Sequence, residues 1–190
     1  MNRVRRSGWV IVCLILAVNS VANVQSDQSR ERSYFTDLPL TDQHGKQLRF
    51  YTDVLQDRVV LMNFIFTKCP GACPIMTRTM VQVKDKIGSL FGDPVHFVSI
   101  SIDPDRDTPE AMLAYAEALE AVHPAWSFLT ADKKTIETVV GRLGQYNEEV
   151  EMHSTMMLAA NTKTKHWIKL RPNMPAEAIA MKLEDLAAED

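Results

Sequence analysis

The hydrophobic positions change period several times along this chain, and each change marks an element. Val59 to Phe66 is nearly continuously apolar, as a strand covered on both faces requires, and Val95 to Ile102 repeats the pattern. Between them Met76, Met80, Val83 and Ile87 recur at helical spacing behind Pro74. A proline suits the first position of a helix, where an N–H would have no partner. The spacing therefore predicts a helix from Pro74, capped by Cys73, with Cys69 in the preceding loop. Thr108 and Pro109 open a second helix through Met112, Tyr115, Ala116 and Leu119, ending near His123-Pro124. A strand at Trp126 to Leu129, an amphipathic helix from Lys133 to about Leu143 and a strand at Met156 to Ala160 follow. Asn161 to Lys165 reads as a turn into a strand at Trp167 to Leu170, and Pro175 begins a last helix through Ile179, Leu183 and Leu186. Upstream, Leu38 to Leu40, the turn Asp42 to Gly45, and Leu48 to Phe50 read as a hairpin. Strands alternating with helices make this an α/β fold, a sheet flanked by helices with a hairpin at its N-terminal side.

The first residues follow a different pattern. Arg3, Arg5 and Arg6 precede an apolar run from Trp9 to Val18, and Ser20 and Ala22 supply the small-x-small spacing of a cleavage site. Residues 1–22 are thus expected to be a secretory signal, cleaved after Ala22, the alternative being an uncleaved anchor over Gly8 to Val24. Cys13 sits inside the apolar run behind Val12 rather than a small residue, and reads as an apolar filler rather than a lipidation site. Residues 23–34 are expected to be a linker, and residues 35–190 one globular domain with a sizeable core. Removal of the first 22 residues takes away three arginines and no acids, which moves the formal charge from −3 to −6. Such a balance argues against nucleic acid as a partner. Export implies the periplasm or the outer face of the inner membrane, where an unprotected pair of cysteines would oxidise.

That pair is Cys69 and Cys73, within Cys69-Pro70-Gly71-Ala72-Cys73-Pro74 directly after the apolar strand. Two sulfurs at a strand-to-helix junction can hold a soft metal ion, exchange electrons as a dithiol and disulfide, or form an inert staple. The partial positive charge of a helix N-terminus, with Lys68 beside it, leads to the expectation that both thiols ionise more readily than an ordinary cysteine. Thiolate donors favour Cu(I), which accepts few ligands, so two sulfurs and one imidazole would suffice. There are five histidines. His44 in a turn, His96 in a strand, His123 at a helix end and His166 beside the last turn are explained by ordinary packing or exposure. His153 follows the acidic loop Asn147 to Glu151, and from the residues alone a metal role is one option among several. Asp103 to Pro109 carries three carboxylates, but Arg106 interrupts them and Thr108-Pro109 reads as a helix start; a structural loop is the expectation, with partner docking the lesser alternative. Met76, Met80, Met152, Met156 and Met157 fit core packing better than a copper relay.

Taken together, Cys69 to Pro74, Asp103 to Pro109 and His153-Ser154 closely resemble the Sco/SenC family of copper-binding cytochrome oxidase assembly factors, in the family's order and approximate spacing. The resemblance covers roughly Phe35 to Leu170 and implies a thioredoxin-like fold. It further implies that Cys69, Cys73 and His153 bind copper, Cu(I) or else Cu(II), and that Cys69 and Cys73 are the redox-active pair should disulfide exchange occur. The implied partners are a copper-receiving subunit of a respiratory oxidase, an upstream copper donor and a thiol–disulfide reductant. The work implied is copper delivery, reduction of the recipient's cysteines, or both, by a metallochaperone rather than a turnover enzyme. A copper-independent thiol–disulfide oxidoreductase is the alternative, a thiol peroxidase a weaker one, and a static disulfide the inert reading. One departure from the family pattern is the lack of glycine in Asn161 to Lys165.

Overall fold

The computed structural model describes residues 28–149 and 155–189. The expected signal segment and His153 lie outside the described residues. Among those described, no helix is long and apolar enough to cross a membrane.

The chain builds one mixed sheet. In chain order its strands are β1 (Pro39–Asp42), β2 (Gln47–Arg49), β3 (Val59–Ile65), β4 (Val95–Ser101), β5 (Trp126–Thr130), β6 (Met157–Asn161) and β7 (His166–Leu170), laid side by side as β2-β1-β5-β4-β3-β6-β7. Pairs β3/β4 and β4/β5 are parallel, whereas β1/β5, β3/β6 and β6/β7 are antiparallel. Every residue of β3 is buried, which is why its sequence lacks the alternation of a half-exposed strand.

Alternate residues of β3 feed two cores. Val59, Leu61 and Ile65 face helices α2 (Ala72–Ile87), α3 (Pro109–Ala118) and α5 (Ala176–Ala187), meeting Met76, Met80, Met112, Tyr115 and Leu183. Val60, Met62 and Phe64 face α4 (Lys133–Arg142) and the π-type segment Phe50–Leu55, meeting Phe50, Ile136, Val139 and Val140. Met76, Met80 and Met157 are buried and pack in the first of these cores, as their helical and strand positions imply.

Three local features depart from the sequence expectations. The helix expected from Pro74 starts at Ala72, with Gly71 at its N-cap, so Cys73 lies in the first turn and does not cap it. Pro74 is tolerated there because that position still lies among the first N–H groups, which have no partner in the helix. Helix α3 stops at Ala118 instead of running on to His123, because Glu120 turns left-handed at φ 57° and redirects the chain. Residues 28–35, which include the described part of the expected linker, form helix α1 and are tied to the domain. Tyr51 Oη donates to Glu31 at 3.0 Å, Arg32 pairs with Asp37 at 3.3 Å, and Phe35 stacks on Trp167 with ring centres 4.9 Å apart.

The turn without glycine closes by another device. Asn161 Oδ1 accepts the N–H groups of Lys163 at 3.0 Å and Thr164 at 3.2 Å, and Lys165 takes the left-handed place at φ 63°. An asparagine side chain thus does part of the work that glycine's freedom does elsewhere.

Candidate metal centre

Strand β3 delivers the chain to the carboxyl edge of the parallel strands, where a tight turn, Cys69 N–H to Phe66 C=O at 3.1 Å, leads into α2. The Cys69 sulfur then accepts the Cys73 N–H at 3.4 Å. Cys73 is the second residue of α2, so Cys69 occupies the role of a capping side chain and satisfies one of the helix's open donors. The four-residue spacing serves the helix as well as the chemistry. The two sulfurs lie within hydrogen-bonding reach of one another, and both are thiols.

Their environments differ. Cys73 is 0% exposed, against Met76 and Met80 in the core, while Cys69 is only partly buried at its edge. Burial first, and then the hydrogen bond with Cys69, push the Cys73 thiol up to about 12. Burial also pushes on Cys69, but the hydrogen bonds from Cys73 and from the backbone of Gly71 and Ala72 together outweigh it and hold that thiol below its ordinary value. The expectation that both thiols are activated therefore holds for Cys69 and fails for Cys73, because loss of water outweighs the helix terminus.

Two neighbours have roles beside the pair that the sequence did not reveal. Asp107, also 0% exposed, accepts Thr67 N–H at 3.1 Å, Thr67 Oγ1 at 2.6 Å and Ser101 Oγ at 2.6 Å. Tyr115 of α3 shares a 3.1 Å hydrogen bond with Thr77, one turn beyond Cys73, and burial raises its phenol, with the two cysteine sulfurs adding to the rise. Asp107 was legible only as one carboxylate of the Asp103 to Pro109 motif, and Tyr115 only as a helical-spacing position of α3.

The histidines read as ordinary have ordinary roles. His96 Nδ1 donates to Pro94 C=O at 3.2 Å, His123 Nδ1 accepts Ala125 N–H at 3.1 Å, and His166 Nδ1 meets Glu189 at 2.6 Å. His44 sits in the first hairpin turn, its N–H on Asp42 at 2.9 Å. The Asp103 to Pro109 segment does begin α3, with Thr108 as N-cap accepting Ala111 N–H at 3.3 Å and Pro109 in first place.

The donor set suits a soft, monovalent cation: two sulfurs side by side, with the positive end of a helix favouring their ionised forms. Among the described residues no third histidine, cysteine or carboxylate joins them as a metal-holding group. Antiparallel pairing sets Leu158 of β6 opposite Met62, so β6 begins at the sheet edge from which the Cys69 loop leaves. His153 precedes the first residue of β6, Met157, by four positions in the chain.

Residues 26–188 match the family model described as SCO1/SenC. The chain belongs to the SCO1/SenC family. An SCO2-like protein of Rickettsia conorii is 34% identical over 106 residues, covering 56% of this chain and 49% of the relative. The family member described here thus spans about half the length of the curated relatives it matches. Its fold is that of solved Sco proteins. BsSco, described as a member of the Sco family of cytochrome c oxidase assembly proteins and as having a disulfide switch, superposes with a TM-score of 0.68 at 22% identity, over 82% of this chain and 94% of that one. ScoI of Bradyrhizobium japonicum with copper bound gives 0.65 at 24% identity, over 78% and 96%. The expected thioredoxin-like α/β architecture is therefore present in this SCO1/SenC chain.

Proposed function

We propose that this chain is an exported copper metallochaperone, working in the periplasm or at the outer face of the inner membrane. It carries one copper ion, as Cu(I), on Cys69, Cys73 and His153, and supports assembly of the copper centre of a respiratory oxidase. The ion is cargo received from an upstream donor and passed to the copper-receiving subunit. The observation that carries this reading is the pair of adjacent sulfurs at the start of α2, one partly exposed and one buried. The start of β6 at the same sheet edge supports His153 as the third donor. Copper-bound relatives of the same fold support the choice of metal.

Binding requires that both thiols lose their protons and that the imidazole be neutral. Closure of a Cys69–Cys73 disulfide removes both sulfur donors, so redox state gates loading. Release to the recipient is easier from a site with one partly exposed sulfur than from one closed on all sides.

A second reading is a thiol–disulfide reductase acting on the recipient's cysteines, favoured by the asymmetry of the pair. The Cys69 thiolate would attack a target disulfide to give a mixed disulfide, and Cys73 would displace the target thiol, leaving Cys69–Cys73 oxidised until an external dithiol reduces it. The two readings part at His153→Ala. Under the copper reading the substitution impairs Cu(I) retention far more than disulfide exchange with an oxidised oxidase-subunit peptide; the reverse order would favour the reductase.

A further inference from the structure

The segment Asp103 to Thr108, between β4 and α3, is busier than a helix start requires. Thr108 and Pro109 alone supply the cap and first residue of α3. The Asp107 carboxylate takes no part in that cap; it points across to Thr67, forty positions away in sequence, and accepts both its N–H and its hydroxyl. Ser101 at the end of β4 donates to the other oxygen. Burial of a carboxylate is costly and is offset here by those three donors. A fold that needed only filling at this position would be served as well by an apolar side chain.

What Asp107 holds is the turn that presents Cys69. Thr67 stands two residues before Cys69, and the Cys69 N–H closes the turn on Phe66. The segment itself is braced, with Asp107 N–H on Asp103 C=O at 2.9 Å, Asp103 N–H on Ser101 Oγ at 3.1 Å, and Arg106 Nε on the Asp103 carboxylate at 2.5 Å. On its other side Asp103, Pro104 and Asp105 share a cleft with Tyr146, Asn147 and Glu148, where the chain sets out toward His153. One short loop thus touches the turn that leads to Cys69 and the described residues that precede His153 in the chain.

We propose that Asp107 is a positioning residue for the Cys69–Cys73 pair, holding the Cys69 turn through Thr67 so that Cys69 stays beside Cys73, as metal binding and disulfide closure both need. The inference rests on the copper reading for its biological purpose, but its mechanical content concerns the thiols alone.

The test uses the full chain with Asp107→Ala, Asp107→Asn and Thr67→Val, each checked for cooperative urea unfolding. Two quantities are measured anaerobically: Cu(I) affinity by competition with a chromophoric chelator, and the equilibrium constant for closing Cys69–Cys73 with oxidised glutathione in the absence of copper. Asp107→Ala, which removes every acceptor, lowers both about tenfold, roughly the worth of one buried hydrogen bond. Asp107→Asn, which keeps one carbonyl oxygen for Thr67, loses less than Ala, and Thr67→Val, which keeps the N–H and the shape, loses several-fold. A residue that merely supports the fold would lower the urea midpoint and leave both constants at the parent value, and that result overturns the proposal. Should Asp107→Ala not fold, Thr67→Val decides between the same two outcomes. If the parent binds no Cu(I) yet the copper-free constant falls in these variants, the copper reading fails and the positioning role stands.

Discussion

The buried position of Cys73 dictates how copper affinity must change with pH. Its thiol is pushed up to about 12, first by burial and then by the hydrogen bond with Cys69. At pH 7 that is about five units below the midpoint, so forming the thiolate costs about 7 kcal/mol at about 1.4 kcal/mol per unit. The copper–sulfur bond must supply this, and the Cys73 proton leaves as the ion enters. Affinity therefore rises about tenfold per pH unit on account of Cys73 alone, throughout the range below its midpoint. Cys69, held below its ordinary value of 9.0, contributes a second tenfold per unit only below its own lowered midpoint. Above the range in which an imidazole ordinarily titrates, the slope of log Kd against pH should lie between −1 and −2, and it should settle at −1 on approach to pH 10. Anaerobic competition against a chelator whose own protonation is corrected for measures it. A slope that flattens toward zero before pH 10 would mean that Cys73 is already ionised, and the burial argument would be wrong.

Further outcomes follow from the same geometry. In the reduced protein iodoacetamide should modify the partly exposed Cys69 well before the 0% exposed Cys73, as read by peptide mass spectrometry; equal rates would contradict the asymmetry. Lys165→Gly should stabilise the β6–β7 turn by up to about 1 kcal/mol in urea unfolding, since Lys165 sits at φ 63° and glycine tolerates that region without strain. Asp132→Ala should cost about 1 kcal/mol, because Asp132 caps α4 by accepting Thr135 N–H at 3.1 Å, and it should leave Cu(I) affinity unchanged.

Continuous apolar runs and helical spacing made the α/β sheet legible, since β3, β4, α2 and α4 each carry a period that burial enforces. Asp42, Thr108 and Pro109 announced a turn and a helix start through local chemistry alone. Features decided by distant contacts were not legible. The polar composition of residues 28–34 read as a linker, whereas Tyr51 and Asp37 hold the helix there through a hydrogen bond and an ion pair that no local pattern reveals. Helix α3 was read too long because nothing near Glu120 marks its left-handed turn. At the candidate site the cysteine pair stood out by spacing, but its asymmetry depends on how deeply α2 packs against the sheet. Asp107 looked like part of a helix start because Thr67, its actual partner, lies forty residues earlier.

The central claim is that one Cu(I) ion binds to two sulfurs and the His153 nitrogen, and X-ray absorption at the copper edge of the Cu(I)-loaded protein tests it most directly. The account predicts two sulfur scatterers and one imidazole in the parent, with the imidazole lost in His153→Ala and binding abolished in Cys69→Ala and Cys73→Ala. A sulfur-only spectrum in the parent, unchanged by His153→Ala, would contradict it.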